Sequence, residues 1–106
     1  MKGFKYINFT PRKEFKDRCN QIYQLFFEEA PSNSTVNAEA KFIHGFFIIA
    51  VNIHYSDGTF SSEIKLPVPT SGKDRTWQIR YLEDISKDIM RQFREWKAVR
   101  SFKNVA

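Results

Sequence analysis

The sequence has few of the features that support disulfide bonds, membrane insertion or secretion. Its only cysteine among 106 residues is Cys19, so a disulfide framework within the chain is excluded and we expect a reducing compartment, the cytoplasm. No apolar run reaches the roughly 18 residues of a transmembrane helix. The start, MKGFKYINFT, lacks the apolar stretch of about 7–15 residues typical of a signal peptide. We predict one domain over residues 1–106, with a frayed tail from about residue 101.

Residues that could perform chemistry are equally scarce. Cys19 has no histidine at zinc-ligand spacing and lies within an apolar helical pattern, so we interpret it as a small core residue. His44 and His54 fall on or beside predicted strands. The segment SGKD, Ser71 to Asp74, lacks the glycine spacing of a phosphate-binding loop. We therefore predict a protein that is not an enzyme and that has no cofactor and no metal site.

A short strand and a helix are predicted at the start of the chain. The strand covers Lys5 to Phe9. Thr10 suits the N-cap of the helix and Pro11 its first position, where a missing N–H has no effect. The helix is expected to end near Glu29, because Pro31 disfavours helical geometry in the residue before it.

Apolar residues recur at helical spacing in two segments, and each set predicts the buried side of a helix. The second helix is expected to start near Asp74 or Thr76. The first set is Phe15, Cys19, Ile22 and Phe26, and the second set is Leu82, Ile85, Ile89, Phe93 and Trp96.

The segment between the helices predicts three antiparallel strands. Val36 to Phe42 and Thr59 to Leu66 alternate apolar and polar residues, and Phe46 to Tyr55 is typical of a central strand. His44-Gly45 is expected to turn the chain, and Asp57-Gly58 favours a two-residue type I′ turn. The fold class that follows is α+β: a two-layer sandwich of order β-α-β-β-β-α, with two helices on one face of a four-stranded sheet.

The outer face of this sheet is expected to mix polar and apolar side chains. Its central strand presents either Phe46, Ile48, Asn52 and His54 or the alternate set. Apolar side chains there favour a partner that covers them, either another protein or a second copy forming a homodimer. The polar residues predicted on this face are Asn37, Glu39, Lys41, Ser61, Glu63 and Lys65.

The basic residues give the clearest functional signal. The net charge of +5 favours an anionic partner. On a helical wheel, four cations of the second helix, Arg80, Lys87, Arg91 and Arg94, lie within about 60° of each other, opposite its apolar set. If the helices lie side by side, the predicted RNA-binding plate comprises Lys13, Lys16, Arg80, Lys87, Arg91 and Arg94, and Lys97, Arg100 and Lys103 extend it. The alternative is an ordinary solvated face with ion pairs within the helix: Glu83 with Lys87, Asp88 with Arg91 and Arg91 with Glu95.

The two ends of the chain resemble the ribosome hibernation-promoting factors, also called the ribosome-associated inhibitor or sigma-54 modulation family. The resemblance covers roughly Phe4 to Lys97. NFTPRKEFKDRCNQIYQLFF resembles the family's first strand and threonine-initiated helix, and TWQIRYLEDISKDIMRQFREWK resembles its long final helix.

This resemblance implies a non-enzymatic regulator of translation. Members occupy the small-subunit channel where mRNA and tRNA bind, and their basic helices contact rRNA phosphates. Carried over by position, the contacts are the six plate residues given above. Besides the protein-interaction module, a double-stranded-RNA-binding domain is a further alternative, but the last helix lacks a lysine-rich start, having DRTWQIR instead.

Overall fold

The computed structural model of the chain describes residues 3–70 and 75–105, the last five of these by their backbone alone. The segment SGKD, residues 71–74, lies outside the described residues. The order of elements is the predicted one, and the α+β fold class is confirmed. The elements are β1 (Phe4–Ile7), α1 (Lys13–Glu29), β2 (Thr35–Ile43), β3 (Phe46–Tyr55), β4 (Gly58–Pro67) and α2 (Thr76–Val105).

The four strands form one sheet in the order β1-β2-β3-β4. β1 pairs with β2 in parallel, and β2, β3 and β4 pair antiparallel. Because the register pairs Ala40 with Ile49, the inner face of β3 carries the odd-numbered residues from Phe47 to Ile53. The outer face therefore carries Phe46, Ile48, Asn52 and His54, which decides between the two sets left open by the sequence.

Both helices cover the inner face of the sheet. α1 contacts β1 and β2, and α2 contacts β3 and β4. Aromatic rings join the layers: the centroids of Phe15 and Phe47 are 6.0 Å apart, and those of Phe60 and Phe93 are 5.2 Å apart. The predicted apolar sets are buried, with Trp96 partly so. Burial of each large apolar side chain contributes about 1.5–3 kcal/mol, so these sets hold the helices on the sheet.

The start of α1 differs from the prediction. The helix begins at Lys13, so the assignment of Thr10 as N-cap and Pro11 as first helical residue is wrong. The N-cap is Arg12, which is extended at φ −73° and ψ 162° and makes no capping hydrogen bond through its side chain. Pro11 is buried, and packing it into the fold keeps the chain extended past the capping signal. The predicted end at Glu29 is confirmed.

The two hairpin turns have different chemistry. His44 (φ 51°) and Gly45 (φ 80°) both have positive φ, as a two-residue type I′ connection requires, so this turn is confirmed. The type I′ turn predicted at Asp57-Gly58 is wrong. Tyr55 pairs with Gly58, so the connecting residues are 56 and 57, and φ is negative at both. Gly58 has φ 152°, and a Cβ on it would lie 2.7 Å from Nη2 of Arg100. Glycine is therefore favoured at this position by its own positive φ, which L side chains rarely adopt, and the guanidinium of Arg100 occupies the space that a Cβ would take.

Candidate nucleic-acid interface

α1 and α2 lie side by side and run in the same direction. Nε of Arg18 lies 2.9 Å from Oε1 of Glu83, and Nη2 of Arg94 lies 2.6 Å from Oε1 of Glu29. The partners in both pairs are 65 residues apart in sequence, so the two helices advance together. The two ion pairs are separated by eleven residues on each helix, or about 16 Å at 1.5 Å per residue.

Four of the predicted RNA-binding residues form a row on the outer side of α2: Arg80, Lys87, Arg91 and Arg94. All four are exposed. The row spans fourteen residues of helix, or about 21 Å. Within the described part of the chain, Arg80 and Lys87 make no hydrogen bond or ion pair. The ion pair predicted between Glu83 and Lys87 is not formed, because Glu83 is bound by Arg18 across the helix pair.

The other two cations of the row are paired, and the pairs of Arg91 with Asp88 and Glu95 are intrahelical pairs predicted for an ordinary solvated face. Arg91 bonds Asp88 on one side and Glu95, at 3.1 Å, on the other, and these hydrogen bonds raise the pKa of its guanidinium. Arg94 bonds Glu29 of α1, and these hydrogen bonds lower the pKa of the Glu29 carboxyl. The side chains of Arg91 and Arg94 are nevertheless 60% and 63% exposed, so a phosphate can still reach them.

Lys13 and Lys16 are exposed but are not part of this row. Residues two apart on a helix differ by about 200°, so Lys16 lies on the flank opposite Arg18. Since Arg18 contacts α2, Lys16 is directed away from α2. Lys13 is about 140° from Arg18 by the same count and lies on the outer side of α1. The structure thus brings together the α2 cations of the predicted plate and separates the α1 cations from them.

The predicted extension of the plate is engaged within the fold. Nζ of Lys97 donates to the backbone carbonyl of Glu29 at 2.8 Å. The guanidinium of Arg100 stacks over Trp96 at 4.3 Å and donates to the carbonyl of Asp57 at 3.0 Å. The side chain of Lys103 lies outside the described residues.

A groove between the two helices was not predicted. Its volume is about 470 Å³, and Arg18, Glu83 and Arg94 are among its lining residues. Its apolar lining is Ile22, Leu25, Phe26 and Met90. Leu25 is 54% exposed and belongs to neither predicted apolar set. The sequence contains one signal that could have identified this groove. Leu25 is apolar but lies about 90° around α1 from the predicted apolar set of that helix.

Ser86 also lines the groove. The residue is only 6% exposed, and its Oγ has no hydrogen-bond partner. A buried hydroxyl without a partner costs about 1–3 kcal/mol, so native structures rarely leave one in that state. The Oγ atom itself is closed off from solvent, so Ser86 lines the groove without presenting its hydroxyl there.

The outer face of the sheet exposes less apolar surface than its composition indicates. Ile48 is 7% exposed although no helix covers it. Its cross-strand neighbours are Lys41 and Lys65, whose aliphatic stems can lie over it. Phe46, at 37% exposure, has Nζ of Lys65 at 5.3 Å from its ring centre. The sheet therefore offers a small apolar patch around one phenylalanine.

Groups suited to catalysis are buried or dispersed. Cys19 is 0% exposed, and burial raises the pKa of its thiol to about 12. His54 contacts Thr59 through Nδ1 at 3.1 Å. No cluster of potential metal ligands occurs within residues 3–70 and 75–105. Within those same ranges, neither helix combines the length and apolar character that crossing a membrane requires.

Comparisons of the chain with protein-family models, with curated proteins and with solved structures found no match.

Proposed function

We propose that the protein is a non-enzymatic RNA-binding regulator that attaches to the small ribosomal subunit through α2 and blocks translation by occupying the decoding channel. The observation that carries the proposal is the row of Arg80, Lys87, Arg91 and Arg94 along about 21 Å of one helix face. A straight row of this length can contact several phosphates of a structured RNA, which is recognised by shape and by phosphate positions.

The ion pairs of the row set the expected strength of binding. Arg80 and Lys87 can bind phosphates at once, whereas Arg91 and Arg94 must share their donors with carboxylates. Each phosphate contact contributes about 0.7–0.9 to the slope of log affinity against log salt concentration. Two contacts thus give a slope of about −1.4 to −1.8, and four give about −2.8 to −3.6. Moderate, salt-sensitive binding is expected.

Charge reversal on the two faces of the molecule tests the proposal. The variant Arg80→Glu/Lys87→Glu removes the two unpaired cations of the row. The matched control, Lys5→Glu/Lys65→Glu, makes the same change in net charge on the outer face of the sheet. Co-sedimentation with small ribosomal subunits is measured over a salt series for the wild type and both variants.

We expect the wild type and the sheet control to sediment with the subunit at low salt and to be released as the salt concentration rises. The α2 variant should remain in the supernatant. Equal sedimentation of the α2 variant and the wild type would show that the row is not the binding surface. Equal loss in both variants would show that only net charge matters.

A further inference from the structure

β4 is an edge strand, and no strand within the described residues pairs with its outer side. It is the last strand in the order β1-β2-β3-β4, and its ten residues pair with β3 without a break in register. The strand at the opposite edge, β1, has only four residues. Natural proteins protect sheet edges with short strands or bulges, so a long and regular edge is a typical site for pairing with another chain.

The register determines which backbone groups of β4 point outward. Tyr55 and Gly58 close the two-residue connection and exchange hydrogen bonds, and the even-numbered residues of β4 continue this pattern along β3. The odd-numbered residues therefore direct their N–H and C=O groups away from the sheet. These residues are Thr59, Ser61, Glu63, Lys65 and Pro67. Because proline has no N–H, Pro67 limits the pairing at that end of the strand.

We propose that this edge pairs with the β4 edge of a second copy of the chain, in antiparallel orientation about a two-fold axis at Ile64. In this register Glu63 of each copy lies opposite Lys65 of the other. The two residues exchange backbone hydrogen bonds, and their side chains form an ion pair on the outer face of the sheet. The two sheets join into one continuous sheet with the helices of both copies on one side.

The charges of the edge favour this register, and they favour a second copy as the occupant. Moving the pairing by two residues places either Glu63 opposite Glu63 or Lys65 opposite Lys65, and like charges directly opposite one another are destabilising. Within residues 3–70 and 75–105, Glu63 makes no ion pair and no side-chain hydrogen bond, so its carboxylate is available. The strand is thus complementary to its own reversed sequence, as a two-fold contact requires.

The same register brings apolar side chains together on the inner face. Ile64 lies opposite Ile64 of the second copy, on the axis, and Leu66 lies opposite Ser62. In the single chain Ile64 and Leu66 pack against the core but are only partly buried. Pairing of the edges therefore removes the remaining apolar surface of these two side chains from water, which favours association.

The helical layer leaves room for this pairing. α2 lies over β3 and β4, so the α2 helices of the two copies are two strand spacings apart, or about 10 Å, an ordinary distance between packed helices. The flank of α2 on that side carries Gln92, which bonds Ser62 of β4, and the acids Asp88 and Glu95 nearby. Arg91 bonds both acids, which reduces the repulsion between the copies.

The test exchanges the charges of the edge and measures association by sedimentation velocity from about 1 μM to about 1 mM, which covers weak and moderate affinities. Glu63→Lys and Lys65→Glu each place like charges opposite one another in both charged pairs of the contact. The double variant Glu63→Lys/Lys65→Glu restores opposite charges and has the net charge of the wild type. The matched control is Glu39→Lys on β2, which changes the same charge on the same face of the sheet, away from the edge.

We expect the wild type, the control and the double variant to form dimers. Each single variant should associate about tenfold to a hundredfold more weakly, because both charged pairs change from attraction to repulsion. An equimolar mixture of the two single variants should form a heterodimer, because opposite charges then face each other again.

A wild type that stays monomeric at about 1 mM overturns the proposal. So does a dimer that is unchanged in both single variants, a double variant that associates as weakly as the single ones, or equal weakening in Glu39→Lys. The inference does not rest on RNA binding. The α2 row lies outside the edge, so loss of the dimer should leave the affinity of each copy for the ribosomal subunit unchanged, and failure of RNA binding leaves the dimer intact.

Discussion

The guanidinium of Arg94 on α2 donates hydrogen bonds to both carboxylate oxygens of Glu29 at the last turn of α1. Nε lies 2.9 Å from Oε2, and Nη2 lies 2.6 Å from Oε1. This two-point geometry matches a planar guanidinium to a planar carboxylate and fixes their orientation. It joins the ends of the two helices and at the same time occupies a cation of the row proposed to bind RNA.

Replacing Glu29 with glutamine should therefore strengthen RNA binding. The change neutralises the partner of Arg94, so that its guanidinium becomes available to a phosphate. We expect higher affinity and a salt slope steeper by about 0.7–0.9, the value of one added contact. The measurement is an anisotropy titration at several salt concentrations.

The control for this prediction is Glu28→Gln, which makes the same change in net charge one residue earlier. Glu28 accepts only a weak hydrogen bond from Gln24, at 3.4 Å, within α1. If both variants raise affinity equally, net charge accounts for the effect and the release of Arg94 does not.

The same pair predicts how stability depends on pH. The hydrogen bonds from Arg94 hold the pKa of Glu29 below its ordinary value in the folded protein. A carboxyl with a lowered folded pKa adds stability above its unfolded pKa of about 4.3 and loses it as the pH falls through the folded value. The difference in free energy of unfolding between the wild type and Glu29→Gln should be constant above about pH 5 and should shrink below about pH 4. Urea unfolding at a series of pH values measures it, and a difference that does not shrink as the pH is lowered contradicts the assignment.

Periodicity predicted which side of each element faces the core. Cys19 and Ile89 are 0% exposed, because apolar residues at helical spacing form one side of a helix and that side is buried against the sheet. The His44-Gly45 turn followed from backbone sterics alone. The predictions for the start of α1 and for the turn after Tyr55 were wrong, and at both places the structure has a tertiary contact that local sequence does not encode. Pro11 packs inside the fold, and Arg100 approaches from α2.

The lateral contacts of the helices could not be predicted in the same way. A wheel shows which residues face away from the sheet, but it does not show which flank faces the neighbouring helix or whether the two helices are parallel. Glu83 could equally bond Lys87 one turn later, and only the arrangement of both helices gives it to Arg18 instead. The groove around Leu25 has the same origin, since it exists only between two elements.

Two serines should respond to alanine substitution with opposite signs. Oγ of Ser86 has no partner, so Ser86→Ala removes a buried unsatisfied group and adds helix propensity. We expect its free energy of unfolding to rise by about 0.5–1 kcal/mol. Oγ of Ser62 on β4 donates to Gln92 on α2 at 2.7 Å, so Ser62→Ala should lower stability by about 0.5–1.5 kcal/mol. Thermal and urea unfolding measure both, and a destabilised Ser86→Ala variant would show that the hydroxyl has a structural partner.

The thiol of Cys19 should be unreactive while the protein is folded. It is 0% exposed, and burial raises its pKa to about 12, so that almost no thiolate is present at pH 8. A disulfide reagent such as DTNB should therefore label the native protein only through unfolding, at a rate that rises with added urea. Rapid stoichiometric labelling without denaturant would show that the helix containing Cys19 opens locally or that the site is exposed.

Arg100 should stabilise the fold through its shape as well as its charge. Its guanidinium lies over the ring of Trp96 at 4.3 Å and donates to the carbonyl of Asp57, which joins α2 to the β3–β4 connection. Loss of a cation–π contact and of a hydrogen bond from a charged donor predicts a decrease of about 1–2 kcal/mol in the free energy of unfolding of Arg100→Ala. Arg100→Lys should recover only part of this, because an ammonium cannot lie flat on the ring and also reach the carbonyl. Arg91→Ala, at a cation bonded only within its own helix, is the control and should change stability little. If Arg100→Lys had the same free energy of unfolding as the wild type, Arg100 would act through charge alone. The space that Gly58 leaves for the guanidinium would then contribute nothing to stability.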